Sequence, residues 1–253
     1  MQAAATMHGF WGPVTSNMDW CEDNYAWSHY VAEWWNTWSN VPWIIIAVYA
    51  MHKSSQAFAE SSQPPSIRRA YWVPLIVFSG SFAFHVSLTH VGQQLDELPM
   101  LYGCFYFHYV TLRHHRGMKV AALGLCGVMT VLMLLFRHSI VPFIVSYALL
   151  VIGLLARSYM LMNTYKTLRQ SQILQRGFYL YMVGFILWVI DQQFCEVVKP
   201  LHLHALWHVF SGASTFYWIQ FACAHEFIVT NHGLQVRNIA TVLPFTTMGK
   251  QLQ

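Results

Sequence analysis

Apolar residues run in long unbroken blocks along this chain, and polar residues collect between the blocks. A bilayer-spanning helix needs roughly 20 mainly apolar residues. Seven blocks approach that length, at 33–52, 70–89, 94–112, 118–136, 140–161, 177–196 and 203–229. Each is continuous rather than alternating, so helices are expected and a barrel is not. The first and third blocks open on polar residues and fit the pattern least well. The expectation is an all-α integral membrane protein, a seven-transmembrane helix bundle. A lumenal or extracellular arm at 1–32 would precede the bundle at 33–230, and a polar tail at 231–253 would follow it.

Charge gives the bundle a direction. With the N-terminus on side one, Arg137 and Lys199 are the only cations on that side, and the other 12 of the 14 Lys and Arg fall on side two. Cations accumulate on the cytosolic side of membrane proteins. The arm is therefore expected outside the cytosol and the tail within it. Composition agrees: 56% of residues are hydrophobic and 9% charged, where a soluble domain has about 25% charged. The net charge of +4 comes without a basic run, so no nucleic-acid partner is expected. The first residues lack a basic stretch followed by an apolar one, so no cleavable leader is expected.

This orientation puts Cys21, in the arm, and Cys195, at the outer end of the sixth block, on the side where disulfides persist. A Cys21–Cys195 bridge is expected. Cys104, Cys126 and Cys223 fall inside blocks and read as packed thiols.

Several blocks carry ionisable residues at one depth, in the outer half: His85, Asp96, Glu97, Asp191, Glu196, His204 and His208. Such groups inside a membrane bundle suggest function. His204 and His208 are four apart, about 40° in azimuth on a helix, which is a paired-ligand spacing. A third imidazole from His85 would leave a fourth position for water, the pattern of a catalytic zinc. Asp96 is placed to orient that water and take its proton. His202 points about 200° from His204 and reads as an interfacial spectator; His90 lies about 140° around from His85 and is a weaker competitor. Trp34, Trp35 and Trp38 read as an interfacial aromatic belt.

Four segments, "GFWGPVTSNMDWCEDNY", "VAEWWNTWSN", "SFAFHVSLTHVGQQLDELPM" and "HALWHVFSG", occur here in one order. Together they resemble the alkaline ceramidases, seven-helix intramembrane zinc amidases. The adiponectin and progestin receptors belong to the same wider superfamily. The resemblance covers positions 9 to about 225; Leu206 departs from it, standing where relatives often have Trp. It implies zinc on His85, His204 and His208, a water-activating Asp96, and Ser81 as a hydrogen-bond donor to the oxyanion. It also implies a calcium site from Asp19, Trp20 (through its carbonyl), Glu22, Asn24 and Glu33; without it, an acidic arm reads as merely solvated. Asp23 reads as a bystander.

The expected activity is hydrolysis of the amide of ceramide-type lipids to a sphingoid base and a fatty acid, with Zn2+ and Ca2+ as cofactors and membrane lipids as surroundings. Endoplasmic reticulum or Golgi is implied by the resemblance alone. The rival readings are a zinc-containing receptor of the adiponectin and progestin type, a structural zinc protein, and a proton transporter using Asp191 and Glu196. Ser81 and Asp96 beside the histidines favour the enzyme, since a structural zinc needs neither.

Overall fold

The computed structural model describes residues 9–58, 68–112, 117–166, 169–229, 234–239 and 243–248. Arg113, Arg116 and Lys250, counted above for orientation, lie outside these residues. Among the described residues the molecule is all-α apart from one hairpin. Its helices are α1 (Trp34–Trp38), α2 (Val41–Phe58), α3 (Trp72–Ser87), α4 (His90–Leu112), α5 (Met118–Leu135), α6 (Val141–Thr164), α7 (Arg169–Gln193), α8 (Cys195–Val198) and α9 (Leu203–Val229).

The first apolar block, expected as one helix, is two. The chain breaks at Ser39 and Asn40, and Pro42 sits in the first turn of α2, where its missing N–H does no harm. The sixth block also ends early, at Phe194, and leaves Cys195 on the short α8.

Two segments, Val141–Thr164 and Gln170–Gln193, are long and apolar enough to cross a membrane, with mean hydropathies of 1.9 and 1.6. Only 17% and 22% of their apolar windows are buried. A core helix of a soluble protein would be mostly covered. Large apolar side chains on α5 and α6 are bare: Val120 is 76% exposed and Leu149 66%. Helices α4 and α9 carry buried polar residues instead, among them Gln93, Asp96, Glu97, His204, His208 and Gln220.

The main core joins α3, α4, α7 and α9 through Phe78, Phe107, Leu174, Trp218 and Phe221. Close approach needs small residues. A Cβ on Gly184 of α7 would lie 2.8 Å from Phe210 Cβ of α9, and one on Gly80 of α3 would lie 1.9 Å from the Leu95 carbonyl oxygen of α4.

The arm lies across the C-terminal end of α3. Leu88, fully buried in the left-handed region at φ 48°, ends that helix. The last carbonyls of a helix have no partner within it. Here the arm supplies donors: Ala32 N–H to Val86 O at 2.9 Å, Glu33 N–H to His85 O at 3.0 Å, and Thr15 N–H to Leu88 O at 3.1 Å. Cys21 and Cys195 are disulfide-bonded, as expected, with Cα atoms 5.4 Å apart. Lys199 forms an exposed ion pair with Asp23, the arm carboxylate outside the expected calcium set.

The tail contains an antiparallel hairpin, β1 (Leu234–Ile239) with β2 (Leu243–Met248). It docks on α9 through Thr246 N–H to Gln220 Oε1 at 2.7 Å and Thr246 Oγ to the Gln220 carbonyl at 3.2 Å.

Candidate metal and active site

Helix α9 starts at Leu203, just after a 3-10 turn ends at His202, which adopts φ 49°. This start fixes His204 and His208 one turn apart on one face. Helix α3 brings His85 to them from its last turn. The ring centroids lie 5.2 Å (His85–His204), 5.0 Å (His85–His208) and 4.7 Å (His204–His208) apart. All three are buried, and their ligand nitrogens lie within 4.8 Å of one another. Among the described residues this is the one group of three or more His, Cys, Asp or Glu with that spacing.

The neighbours fix the tautomers. Glu33 Oε2 lies 2.5 Å from His85 Nδ1, both groups fully buried. A carboxylate accepts, so Nδ1 carries the proton and Nε2 keeps a free lone pair. His85 Nε2 is indeed buried without a protein partner. Ser39 donates its hydroxyl to Asn36 O at 2.9 Å, so that oxygen accepts at 2.7 Å from His208 Nδ1. The lone pair of His208 is therefore also on Nε2. Trp20 stacks on His204, ring centroids 3.8 Å apart, and His204 Nδ1 is another buried atom without a partner. Buried polar atoms are rarely left unpaired. Neutral imidazoles with free lone pairs, oriented by a carboxylate and a hydroxyl, are what a metal-binding triad requires.

Ser81 Oγ is 3.5 Å from His208 Nε2. Ser81, Asp96, His204 and His208 share the wall of a cavity of about 420 Å3 whose remaining lining is largely apolar. The Gly80–Leu95 contact is what holds Ser81 and Asp96 on adjoining walls. Glu97, also on that wall, takes the Gln93 side-chain amide at 2.7 Å.

The five expected calcium residues are gathered at the arm's junction with α1 and are largely engaged in hydrogen bonds with one another and with the chain. Asp19 Oδ1 accepts from Asn24 Nδ2 at 2.9 Å, and Glu33 Oε1 accepts from Trp20 N–H at 3.2 Å. Glu22 accepts the backbone N–H groups of Trp35 and Asn36 at 2.8 and 2.9 Å, capping α1. Burial pushes the Glu22 carboxyl above its usual range, and those two N–H groups oppose the shift. Asn24 Oδ1 is buried without a partner. An all-oxygen donor set with one orphaned acceptor fits a hard cation, although the carboxylates are more widely spaced than the histidines.

His202 and His90 stand apart from the triad, His202 beside Trp35 at 5.3 Å between rings and His90 at the start of α4. Trp35 and Trp38 are exposed, as a belt residue would be. Asp191 is buried against the first turn of α9, near the His204 N–H, whereas Glu196 is exposed and no part of the polar cluster. Sequence reasoning missed the supports of the triad. Glu33 was assigned to calcium alone, and Ser39 had no role. The signal existed: Glu33, Asn36, Thr37 and Asn40 recur at helical spacing, and all four are buried.

A family model described as Ceramidase matches residues 12–242. This chain belongs to the alkaline ceramidase family. It is an enzyme of the amide-hydrolase class. It is 31% identical to alkaline ceramidase 3 of Mus musculus, covering 88% of each chain. It is 30% identical to an alkaline ceramidase of Arabidopsis thaliana, over 95% of this chain and 96% of the relative. Alkaline ceramidase 1 of Homo sapiens is 27% identical over 77% of each. These relatives give the receptor alternative no support.

Proposed function

We propose that the protein is a zinc-dependent intramembrane ceramidase, cleaving the amide of ceramide-type lipids to a sphingoid base and a fatty acid. The observation that carries this reading is the buried His85–His204–His208 triangle, with His204 and His208 on the wall of an apolar cavity that also holds Ser81 and Asp96. All seven long helices are read as crossing the membrane, with the arm lumenal, the tail cytosolic, and the endoplasmic reticulum or Golgi as the location. The bare apolar faces of α5 and α6 support this. Calcium on Asp19, Trp20, Glu22, Asn24 and Glu33 would fasten the arm to α1.

Zinc, when bound, supplies a Lewis acid that acidifies water and polarises a carbonyl. The chain's own groups do the rest. Glu33 and Ser39 hold the proton on Nδ1 of His85 and His208, so that Nε2 stays available. Asp96 takes the proton of the attacking water and returns it to the leaving amine. Ser81 donates its hydroxyl to the amide oxygen as charge grows there. The apolar lining keeps bulk water out and accommodates hydrocarbon tails.

The test is metal content and hydrolysis of a ceramide panel, measured on one preparation of purified protein. Wild type should hold zinc and turn over. His208→Ala should lose both. Asp96→Ala should keep zinc while activity falls by about 10²–10⁴-fold, the usual value of a positioned acid–base group. Zinc-loaded wild type that cleaves no ceramide or related lipid amide would overturn the proposal.

A further inference from the structure

A second cavity, of about 450 Å3, lies between α3 and α4 and opens on their outer surface past Trp72, Ile76 and Tyr102, which are 51%, 51% and 36% exposed. Val73 and Gly103 are the two residues that line both this groove and the reaction cavity. They touch each other closely: a Cβ on Gly103 would lie 2.6 Å from Val73 Cγ1. The partition between the cavities is thus the Val73 side chain set against a glycine.

Its position along α3 matters. Val73 precedes Ser81 by eight residues, or about 12 Å of helix rise. An extended chain advances roughly 1.2 Å per bond. A hydrocarbon tail running along α3 from an amide at Ser81 therefore meets Val73 after roughly ten bonds. A cavity of about 420 Å3 is drug-sized and cannot enclose both tails of a ceramide, so a long tail must find a way out.

We propose that Val73 is the acyl-length gauge of the enzyme. The groove beyond it, between α3 and α4, is the outlet that a long fatty-acyl tail takes when the Val73 side chain turns aside. The inference rests on the ceramidase reading. Val73→Ala joins the two cavities, so tails longer than about twelve carbons run through into the groove. Val73→Ile thickens the partition toward Gly103 and turns such tails back.

The experiment is kcat/KM on ceramides of one sphingoid base with acyl chains of about 6 to 24 carbons, for protein in detergent. Zinc content and thermal midpoint are recorded as checks on folding. The long-to-short ratio is expected to rise about tenfold in Val73→Ala, the low end of what one methylene decides in a close-fitting pocket, and to fall in Val73→Ile. Adding Ile76→Trp, which fills only the groove, should cancel the gain of Val73→Ala. Unchanged ratios in both Val73 variants, with wild type active, would overturn the gauge and leave the ceramidase reading standing. Wild type inactive on every ceramide would instead overturn the reading beneath it.

Discussion

The reaction cavity has two unlike walls. One is built from the arm, α3 and α9, with Trp20, Ser81, His204 and His208 on its face. Behind that face Glu33, Ser39, His85 and His208 are bonded to one another or to backbone, and His85 and Glu33 are fully buried. The other is built from α6 and α7 and is faced with Phe143, Ile144, Ile152 and Phe185, the last three of which are partly exposed on the outer surface. Its side-chain hydrogen bond is the 3.3 Å contact between Tyr147 and Tyr181. Hydrogen bonds have direction and fix a geometry; dispersion contacts have little direction and tolerate sliding. The polar wall suits holding the imidazoles of His85 and His208 in one tautomer each, and the apolar wall suits admitting flexible hydrocarbon.

The largest expected effect comes from uncoupling the polar wall. Glu33→Gln keeps the shape but removes the charge that holds the proton on His85 Nδ1. Losing such an outer partner typically costs 10–100-fold in metal affinity. Competition with a chelator should show that drop in Glu33→Gln, while Ile152→Ala on the apolar wall should retain wild-type affinity. Equal losses from both would mean that general packing, and not the carboxylate, holds the site.

A smaller effect is expected from the tie between the walls. The Cys21–Cys195 bridge joins the arm to the start of α8, just past the end of α7, across a sequence separation of 174 residues. A disulfide over a long loop is worth about 2–4 kcal/mol. The double Cys→Ser variant should unfold at a lower temperature yet keep metal and activity well below its midpoint. If metal is lost at all temperatures, the bridge positions Trp20 on His204 and does not merely fasten the arm.

Legibility in the sequence differed between the same two walls. The apolar blocks gave α6 nearly at its observed bounds, because continuous apolar runs leave few alternatives; α7 was located, but it starts eight residues before the expected block, on the polar turn from Arg169. The i, i+4 spacing gave His204 and His208, and the shared depth gave His85. The break at Ser39 and Asn40 carried a local signal, Asn40 ahead of Pro42, but its consequence was not legible; the break turns Ser39 toward His208, a tertiary partner 169 residues away. The dual position of Glu33, with one oxygen on the Trp20 N–H and the other on His85, likewise depends on α3 meeting α1. The hairpin at 234–248 was read as plain tail because its strands are short and mixed, and its anchor is Gln220, far back in α9.

The smallest effect concerns the arm's carboxylates and runs with pH. Glu22 has its carboxyl raised by burial above the ordinary 4.5. The folded state then binds a proton more tightly than the unfolded one, so stability falls as pH rises from the ordinary value through the raised one. A cation seated on neighbouring oxygens favours the charged form and offsets that loss. Calcium should therefore raise the thermal midpoint more at about pH 8 than at about pH 5, and a chelator should reverse the gain. Glu22→Gln has no such proton to lose, so its midpoint should vary less over this range and respond less to calcium. Equal calcium shifts at both pH values in wild type would place the ion elsewhere. A pH response unchanged in Glu22→Gln would assign it to another carboxyl of the cluster. Either result would leave Glu22 with its other role, that of holding the first N–H groups of α1 in place beneath the triad.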